Sequence, residues 1–150
     1  MYICCTQIIR MLIDSSSITQ YIPQRAPFVM VDTLVAASET NFESQFLVKN
    51  TNIFLKEGIL SESALLENIA QTCAAGFGYV NSQNGEEAGK LGFIGSITRV
   101  EIKHVAKEND LLTTKVNVLS TFDAIHLIEG RVFDSLQNEL ISCQMKIVVG

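Results

Sequence analysis

The sequence predicts an α+β fold in which an antiparallel sheet wraps around one long central helix. Residues 63–85 have helical periodicity and contain a single charged side chain, Glu67, so this helix has no charged face and must be buried on most sides. The flanking segments instead alternate apolar and polar residues, as strands do. With 150 residues and 47% hydrophobic side chains, the chain is large enough for a single domain with a real core.

The segments before the helix predict a short helix, an extended loop, a hairpin and a second loop. Residues 1–14 are set apart as an N-terminal extension of the domain, and Met11 is an alternative first residue. The serines of residues 15–21 suit helix capping, and Pro23 and Pro27 favour an extended loop. The hairpin strands are expected at residues 29–37 and 42–48, and the second loop at residues 50–60.

The central helix is expected to begin at a serine cap, Ser61 or Ser63, with Glu62 at the positive end of the helix dipole. Its core face should then contain Leu65, Leu66, Ile69, Ala70, Cys73, Gly76, Phe77 and Val80. The opposite side should contain Glu67, Gln71, Ala74 and Gly78. Small residues on that second side allow a neighbouring backbone or a ligand to approach closely.

The segments after the helix predict four long antiparallel strands joined by short polar turns, as in a meander. They are expected at residues 91–104, 111–122, 124–133 and 140–149. A sheet curled around one helix accounts for this order, but it leaves the second side of the helix uncovered. A subunit partner is the natural cover for that side.

Composition excludes several classes of function. The net charge of −5 gives no basic surface for nucleic acid, and no apolar run is long enough to span a membrane or to serve as a signal peptide. The four cysteines, Cys4, Cys5, Cys73 and Cys143, lack metal-ligand spacing and indicate free thiols in a reducing cytoplasm. We therefore expect a cytoplasmic protein without a metal or a cofactor.

Three motifs resemble the hotdog-fold 3-hydroxyacyl-[acyl-carrier-protein] dehydratases. YIPQRAPFVMVDTL (residues 21–34) is similar to their opening, Leu-Pro-His-Arg-x-Pro-Phe-Leu-Leu-Val-Asp, and LLENIAQTCAAG (residues 65–76) to their central helix, Leu-x-Glu-Ala-Met-Ala-Gln. Residues 91–119 resemble their long strand pair. The resemblance covers residues 21–150, and among these proteins the chain looks most similar to the divergent dehydratase-like proteins of aryl polyene and flexirubin pigment clusters.

This resemblance implies a hotdog dimer that holds an acyl thioester, carried on acyl carrier protein or CoA, in a tunnel between subunits. In that family a helix Glu helps the hydroxyl group to leave as water, and a loop His of the partner subunit removes a proton beside the thioester carbonyl. Glu67 matches the catalytic Glu. The resemblance implies five substrate-binding residues: Gln24, Arg25, Phe28, Ser63 and Gln71. Gln24 stands at a position where the family has a His that is not catalytic.

The chain departs from the family pattern at the catalytic loop. Residues 50–66 contain no His and no Gly-His-Phe-Pro-Gly segment, so the usual base is missing from its usual place. The only histidines are His104, expected to be a solvated edge residue, and His126, expected at a surface position of a strand.

Three functions remain open at this point. The first is a 3-hydroxyacyl-thioester dehydratase-like enzyme of fatty acid or polyene biosynthesis, with Glu67 central and its base unidentified. The second is a non-catalytic subunit or acyl binder that supports a complete partner, in a hotdog heterodimer rather than a homodimer. The third is a thioesterase in which Glu67 or Glu62 is sufficient, as nucleophile or to activate water.

Overall fold

In a computed structural model, which describes residues 11–87 and 92–150, an antiparallel sheet wraps around one 22-residue helix. This confirms the predicted α+β architecture. Its elements are a 3₁₀ turn (Ile18–Gln20), β1 (Thr33–Ala37), β2 (Asn41–Leu47), β3 (Leu55–Lys56), β4 (Ile59–Leu60), α1 (Glu62–Gln83), β5 (Gly92–Ile102), β6 (Ala106–Lys107), β7 (Leu111–Phe122), β8 (Ile125–Phe133) and β9 (Glu139–Val149).

The main sheet has six strands in the order β1-β2-β7-β8-β9-β5. The predicted four-strand meander is correct only for β7, β8 and β9, because β5 pairs with β9 rather than with β7. The chain crosses from one edge of the sheet to its middle between β5 and β7, and β7 then pairs with β2 of the first hairpin. As a result, β5 is an edge strand.

The predicted loop at residues 50–60 contains a small hairpin, so that prediction was wrong in part. Strands β3 and β4 pair through Lys56 and Ile59, and β4 also pairs with β6 to make a separate three-stranded sheet. The turn residues Glu57 and Gly58 both have positive φ, 52° and 77°, as a two-residue hairpin turn requires. Two-residue strands are too short to produce a visible alternation in the sequence.

The residue that caps the start of the helix is Ser61, the first of the two predicted caps. Its hydroxyl accepts a hydrogen bond from the Ala64 amide at 3.4 Å. Glu62 lies in the first turn, and Ser63 is exposed with its hydroxyl 2.9 Å from that of Ser61. The helix ends before Gly85, whose φ of +75° belongs to the left-handed region that glycine favours.

The predicted core face of the helix was wrong in part. The buried helix residues are Ala64, Leu65, Asn68, Ile69, Gln71, Thr72, Cys73, Ala75, Gly76 and Gly78. Leu66, Ala70, Phe77 and Val80, which were predicted to be buried, are only half-buried. The reason is that α1 has two partners: the sheet covers one side, and the segment before β1 covers another.

Gly78 shows how closely that second partner approaches. A Cβ atom at Gly78 would lie 2.8 Å from the backbone oxygen of Tyr21, a distance that an alanine cannot adopt without displacing the backbone. The expected close approach of a neighbouring backbone to this side of the helix is therefore present.

The N-terminal segment also differs from the prediction. The expected helix at residues 15–21 is a single 3₁₀ turn, and the carboxylate of Asp14, rather than a serine, accepts hydrogen bonds from the amides of Ser16 and Ser17. The Ser16 hydroxyl also donates to this carboxylate at 2.6 Å, and that hydrogen bond is the main cause of the lowered pKa of Asp14. Ile13 is buried and pairs with Leu34, so residues 11–14 pack against the sheet. Residues 1–10, with Cys4 and Cys5, and residues 88–91 lie outside the described residues.

Candidate active site

A buried glutamine joins the central helix to the segment before β1. The Gln71 side chain is fully buried, its Oε1 accepts a hydrogen bond from the Met30 amide at 2.6 Å, and its Nε2 donates to the Phe28 carbonyl oxygen at 2.8 Å. The same Nε2 donates to Glu67 Oε1 at 2.8 Å. Gln71 therefore fixes both the loop and the carboxylate of Glu67 relative to the helix axis.

Two further polar residues of the helix, Asn68 and Thr72, extend this buried network. Asn68 Nδ2 donates to the Met30 carbonyl oxygen at 2.6 Å, and Asn68 Oδ1 accepts from the Thr114 hydroxyl. The Thr72 hydroxyl lies 2.6 Å from that of Ser44. Sequence reasoning missed this network because polar helix residues ordinarily indicate solvent exposure. The available signal was that Asn68, Gln71 and Thr72 lie on a helix with no charged face.

A cavity of about 230 Å³ opens beside Glu67. It is lined by Gln24, Glu67, Ala70, Ala74, Gly92, Phe93, Ile94 and Ile147. The alanines of α1 leave room on one wall, and the edge strand β5 forms the opposite wall. Glu67 is half-buried here, whereas Gln71 lies behind it in the interior. The helix residues that line the cavity are therefore Glu67, Ala70 and Ala74, rather than the predicted set of Glu67, Gln71, Ala74 and Gly78.

Of the five predicted substrate-binding residues, only Gln24 lines this cavity with Glu67. The Gln24 Oε1 atom is buried without a hydrogen-bond partner. Arg25 is exposed, and its guanidinium donates to the carbonyl oxygens of Ile22 and Gln24, both at 2.8 Å. The Phe28 side chain is 55% exposed, and Ser63 is exposed at the first helix turn. Arg25, Phe28 and Ser63 are therefore outside the cavity wall.

Neither histidine of the chain lies at this cavity. His104 is exposed just after β5, and its amide donates to Leu140. His126 is half-buried, with its ring centroid 4.4 Å from that of Phe77 and its Nδ1 2.9 Å from the Thr121 hydroxyl. Burial lowers the pKa of His126. Phe77 is ten residues beyond Glu67, which corresponds to about 15 Å along the helix axis.

Other chemistry-bearing residues do not extend the site. Cys73 and Cys143 are buried, as predicted, and burial raises the pKa of Cys73 to about 12 and that of Cys143 to about 11. Within residues 11–87 and 92–150, no three His, Cys, Asp or Glu side chains are grouped closely enough to hold a metal ion. No helix in the same residues is long and apolar enough to cross a membrane.

Among proteins of known function, the chain is similar to dehydratases. The chain is 24% identical over 146 residues to the 3-hydroxyacyl-[acyl-carrier-protein] dehydratase FabZ of Coxiella burnetii (strain CbuK_Q154), covering 91% of this chain and 96% of that protein. It is 30% identical over 135 residues to FabZ of Wolinella succinogenes, covering 82% of this chain and 87% of that protein.

Solved structures share the fold. The dehydratase heterocomplex ApeI:P from Xenorhabdus doucetiae has a chain that superposes with a TM-score of 0.81 at 19% identity, covering 89% of this chain and 90% of that one. A hypothetical thioesterase (Asp52Ala mutant) from Streptococcus pneumoniae TIGR4 gives a TM-score of 0.60 at 14% identity, covering 77% and 88%. These structures establish the predicted hotdog fold.

The model of the ApeP-like family, described as ApeP dehydratase, matches residues 16–149. That range includes the Glu67 cavity, the buried network around Gln71 and every strand of the main sheet. It confirms the resemblance seen in the sequence motifs. The chain therefore belongs to the ApeP-like dehydratase family and is a dehydratase-like hotdog protein.

Proposed function

We propose that this chain supplies the acidic half of a 3-hydroxyacyl-thioester dehydratase whose base comes from a second hotdog subunit. The observation that carries the proposal is the position of Glu67, which lies half-buried on the wall of a largely apolar cavity, beside an uncovered edge strand. The FabZ relatives are dehydratases of 3-hydroxyacyl chains on acyl carrier protein, which supports the same substrate class here.

The reaction needs a base at C2 of the substrate and an acid at the hydroxyl group on C3. The base removes a proton from C2, the C2–C3 double bond forms, and the C3–O bond breaks. Glu67, in its protonated form, donates its proton to the departing oxygen, so the products are an enoyl thioester and water. The proton that the base removed from C2 then restores the protonated form of Glu67 for the next turnover. No oxidant or reductant is needed.

The base has to come from outside this subunit. Imidazole is the most common general base in proteins, and both imidazoles of this chain lie away from the Glu67 cavity. In a homodimer the corresponding loop of both subunits would lack a His. A heterodimer with a hotdog subunit that carries a loop His would complete one site, and the name of the ApeI:P heterocomplex supports this kind of assembly.

The edge strand β5 is the surface that we assign to the partner. Five of its apolar side chains are between 36% and 56% exposed: Phe93, Ile94, Ile97, Val100 and Ile102. A long apolar edge strand offers both unpaired backbone groups and hydrophobic area to another strand. Because β5 also forms a wall of the cavity, a subunit added there would close the cavity over Glu67 and convert it into a tunnel.

The remaining predicted substrate-binding residues take different roles in this proposal. Arg25 and Phe28 are exposed on the loop that follows Gln24, where they would contact the carrier arm outside the tunnel. Ser63 lies at the first turn of α1, close to free backbone amides that suit a thioester carbonyl. Gln71 acts through Glu67, because its fully buried amide holds that carboxylate in place.

The test is turnover in a reconstituted pair. The chain is co-expressed with a hotdog subunit that carries the loop His, and enoyl absorbance is followed with a 3-hydroxyacyl-carrier substrate. We expect the pair to be active and Glu67→Gln in this chain to reduce its activity at least a hundredfold. Equal activity with wild-type and Glu67→Gln chains would reject the acid role and leave the chain as a non-catalytic acyl binder. Release of free thiol instead of enoyl product would indicate a thioesterase.

A further inference from the structure

We propose that the side chain of Phe77 stops the acyl group of the substrate and so limits its length; this assignment rests on the proposed function. The observation behind it is a second cavity, which continues the Glu67 cavity toward the C-terminal end of α1. Ala74, Gly92 and Ile147 line both cavities, so the two spaces adjoin. An acyl group that starts at Glu67 and follows the helix therefore runs toward Phe77.

The two cavities follow a single stripe of the helix surface. The helix residues that line them recur every three or four positions, which places them on one face: Glu67, Ala70, Ala74, Phe77, Gly78 and Asn81. Only alanines lie between Glu67 and Phe77 on this stripe, so an apolar acyl group can lie against the helix there. Phe77 is the first large side chain of α1 that such a group would meet.

The space narrows sharply where it reaches Phe77. The Glu67 cavity has a volume of about 230 Å³, and the second cavity has a volume of about 20 Å³. One water molecule needs about 10–15 Å³ of such space, so the second cavity holds a single small group rather than several more carbons. Strand β9 contributes Ile147 and Val149 to its wall. The end of a bound acyl group therefore lies close to Ala74.

Two other rings hold the Phe77 ring in place. Its centroid lies 5.0 Å from that of Phe42, in an edge-to-face contact, and 4.4 Å from that of His126. Phe42 is buried, and a Cβ atom at Gly76 would lie 2.1 Å from its ring, so the Phe42 ring is packed directly on the helix. The Nδ1 atom of His126 lies 2.9 Å from the Thr121 hydroxyl. Phe77 is therefore a fixed wall, and His126 supports it.

The spacing along the helix gives the length of the acyl group that fits. An extended polypeptide advances about 3.3–3.6 Å over its three backbone bonds per residue, or about 1.2 Å per bond. Glu67, where C3 of the substrate lies in the proposed reaction, is about 10 Å from Ala74 along the helix axis, a distance that about eight or nine bonds cover. The site should therefore hold acyl groups of up to about eleven or twelve carbons.

The test measures binding rather than turnover, in the assembly in which the protein purifies. The probes are S-alkyl pantetheine thioethers from butyl to hexadecyl, which can be neither dehydrated nor hydrolysed. With the wild-type protein, we expect the affinity to rise about three- to fourfold for each added carbon, as burial of a methylene group gives. This rise should end in a plateau at about twelve carbons.

Two variants should move this plateau in opposite directions. Phe77→Ala removes the stop and should extend the rise by about three or four carbons, the length of the removed ring. Ala74→Leu narrows the passage while keeping the packing of Phe77, and it should end the rise at shorter chains. Both variants should bind the butyl probe as the wild type does. Phe133→Ala, the same substitution at a half-buried ring outside both cavities, is the matched control and should leave the plateau in place.

An affinity that keeps rising to hexadecyl in the wild type, or a plateau that neither variant moves, would overturn the assignment. An equal loss for the butyl and dodecyl probes in Ala74→Leu would indicate a general disturbance of the site and would also reject it. The outcome separates from that of the proposed function, because the thioethers undergo no reaction. A plateau that moves in a protein without dehydratase turnover keeps Phe77 and rejects the activity, whereas turnover with an unmoved plateau rejects Phe77 alone.

Discussion

The amide of Gln71 donates a 2.8 Å hydrogen bond to Glu67 Oε1, one helical turn before it in the sequence. The same side chain also binds the Met30 amide and the Phe28 carbonyl oxygen. One fully buried residue therefore links the candidate acid to the loop that carries Gln24, and small changes at Gln71 should affect both stability and the site.

The first prediction concerns the stability that Gln71 provides. Gln71→Leu removes three hydrogen bonds and leaves the buried Met30 amide and the partly buried Phe28 carbonyl oxygen without that partner. Each such group costs roughly 1–3 kcal/mol, so we expect a loss of about 2–5 kcal/mol in the free energy of unfolding, measured by urea denaturation. Gln83→Ala, at an exposed position of the same helix, is the control and should change it by less than about 0.5 kcal/mol. Equal stability of the two variants would contradict the assigned role.

A second prediction separates the two carboxylates at the start of the helix. Glu67→Gln should reduce dehydration by roughly 10²–10⁴-fold, because an amide cannot donate the proton of a general acid. Its oxygen can still accept from Gln71, so the unfolding midpoint should stay close to that of the wild type. Glu62→Gln, in the exposed first turn, should retain full activity. A larger effect at Glu62 would point to the thioesterase alternative instead.

The sequence predicted the local elements well where a long pattern was present. The bounds of β7 were predicted to the residue, because residues 112–118 place alternate side chains on one face and short polar turns flank the segment. The hairpin in residues 55–60 was missed because its strands are two residues long. The position of β5 beside β9 was also missed, since pairing between distant strands depends on how the whole sheet closes around the helix and not on the residues of β5 alone.

The sequence identified the central residue of the candidate site, but not the residues that surround it. The solitary charge of Glu67 identified it from the sequence, and Glu67 does line a cavity. Helical periodicity placed Gln71 on the same open side, but the angle between neighbouring positions does not reveal that the loop before β1 covers Gln71 and Gly78. The separation of Arg25 and Phe28 from the cavity likewise depends on the path of that loop, which has no periodic pattern.

The third prediction tests β5 as the subunit interface. Ile97→Lys places a charge in the middle of the exposed apolar edge, where natural edge strands use lysine to block pairing. We expect analytical ultracentrifugation to show a shift from dimer to monomer. The dissociation constant of the dimer should increase at least tenfold. Leu136→Lys makes the same substitution at a residue that is 82% exposed and outside β5, and it should leave the assembly intact. A dimer that survives Ile97→Lys would place the interface elsewhere.

The buried cysteines give a fourth prediction. With pKa values of about 12 for Cys73 and about 11 for Cys143, both thiols are almost fully protonated at pH 8, and the thiolate is the reactive form. In a Cys4→Ser/Cys5→Ser variant, a disulfide-exchange reagent should release almost no chromophore from the native protein and two equivalents per chain after denaturation. Rapid reaction of the native protein would show that one of these thiols is accessible.

A fifth prediction follows from the ion pairs of Glu139 on the face of the sheet away from the helix. Lys103 binds one carboxylate oxygen and the Arg131 guanidinium binds the other at 2.7 Å, and the Lys103 hydrogen bond is the main cause of the lowered pKa of Glu139. A carboxyl whose pKa is lower in the folded than in the unfolded protein stabilises the fold above its unfolded pKa, near 4.5, and that contribution disappears as the pH falls through the lower folded pKa.

Glu139→Gln should therefore reduce the free energy of unfolding at pH 7 by about 1 kcal/mol or less, the usual range for ion pairs near the surface. The difference between wild type and variant should shrink as the pH is lowered from 5 toward 3, because the wild-type carboxyl then becomes protonated. Urea denaturation at several pH values measures it, with Glu86→Gln, at an exposed position beyond the helix, as the control. A difference that stays constant over this range would mean that packing, rather than charge, accounts for the effect of the substitution.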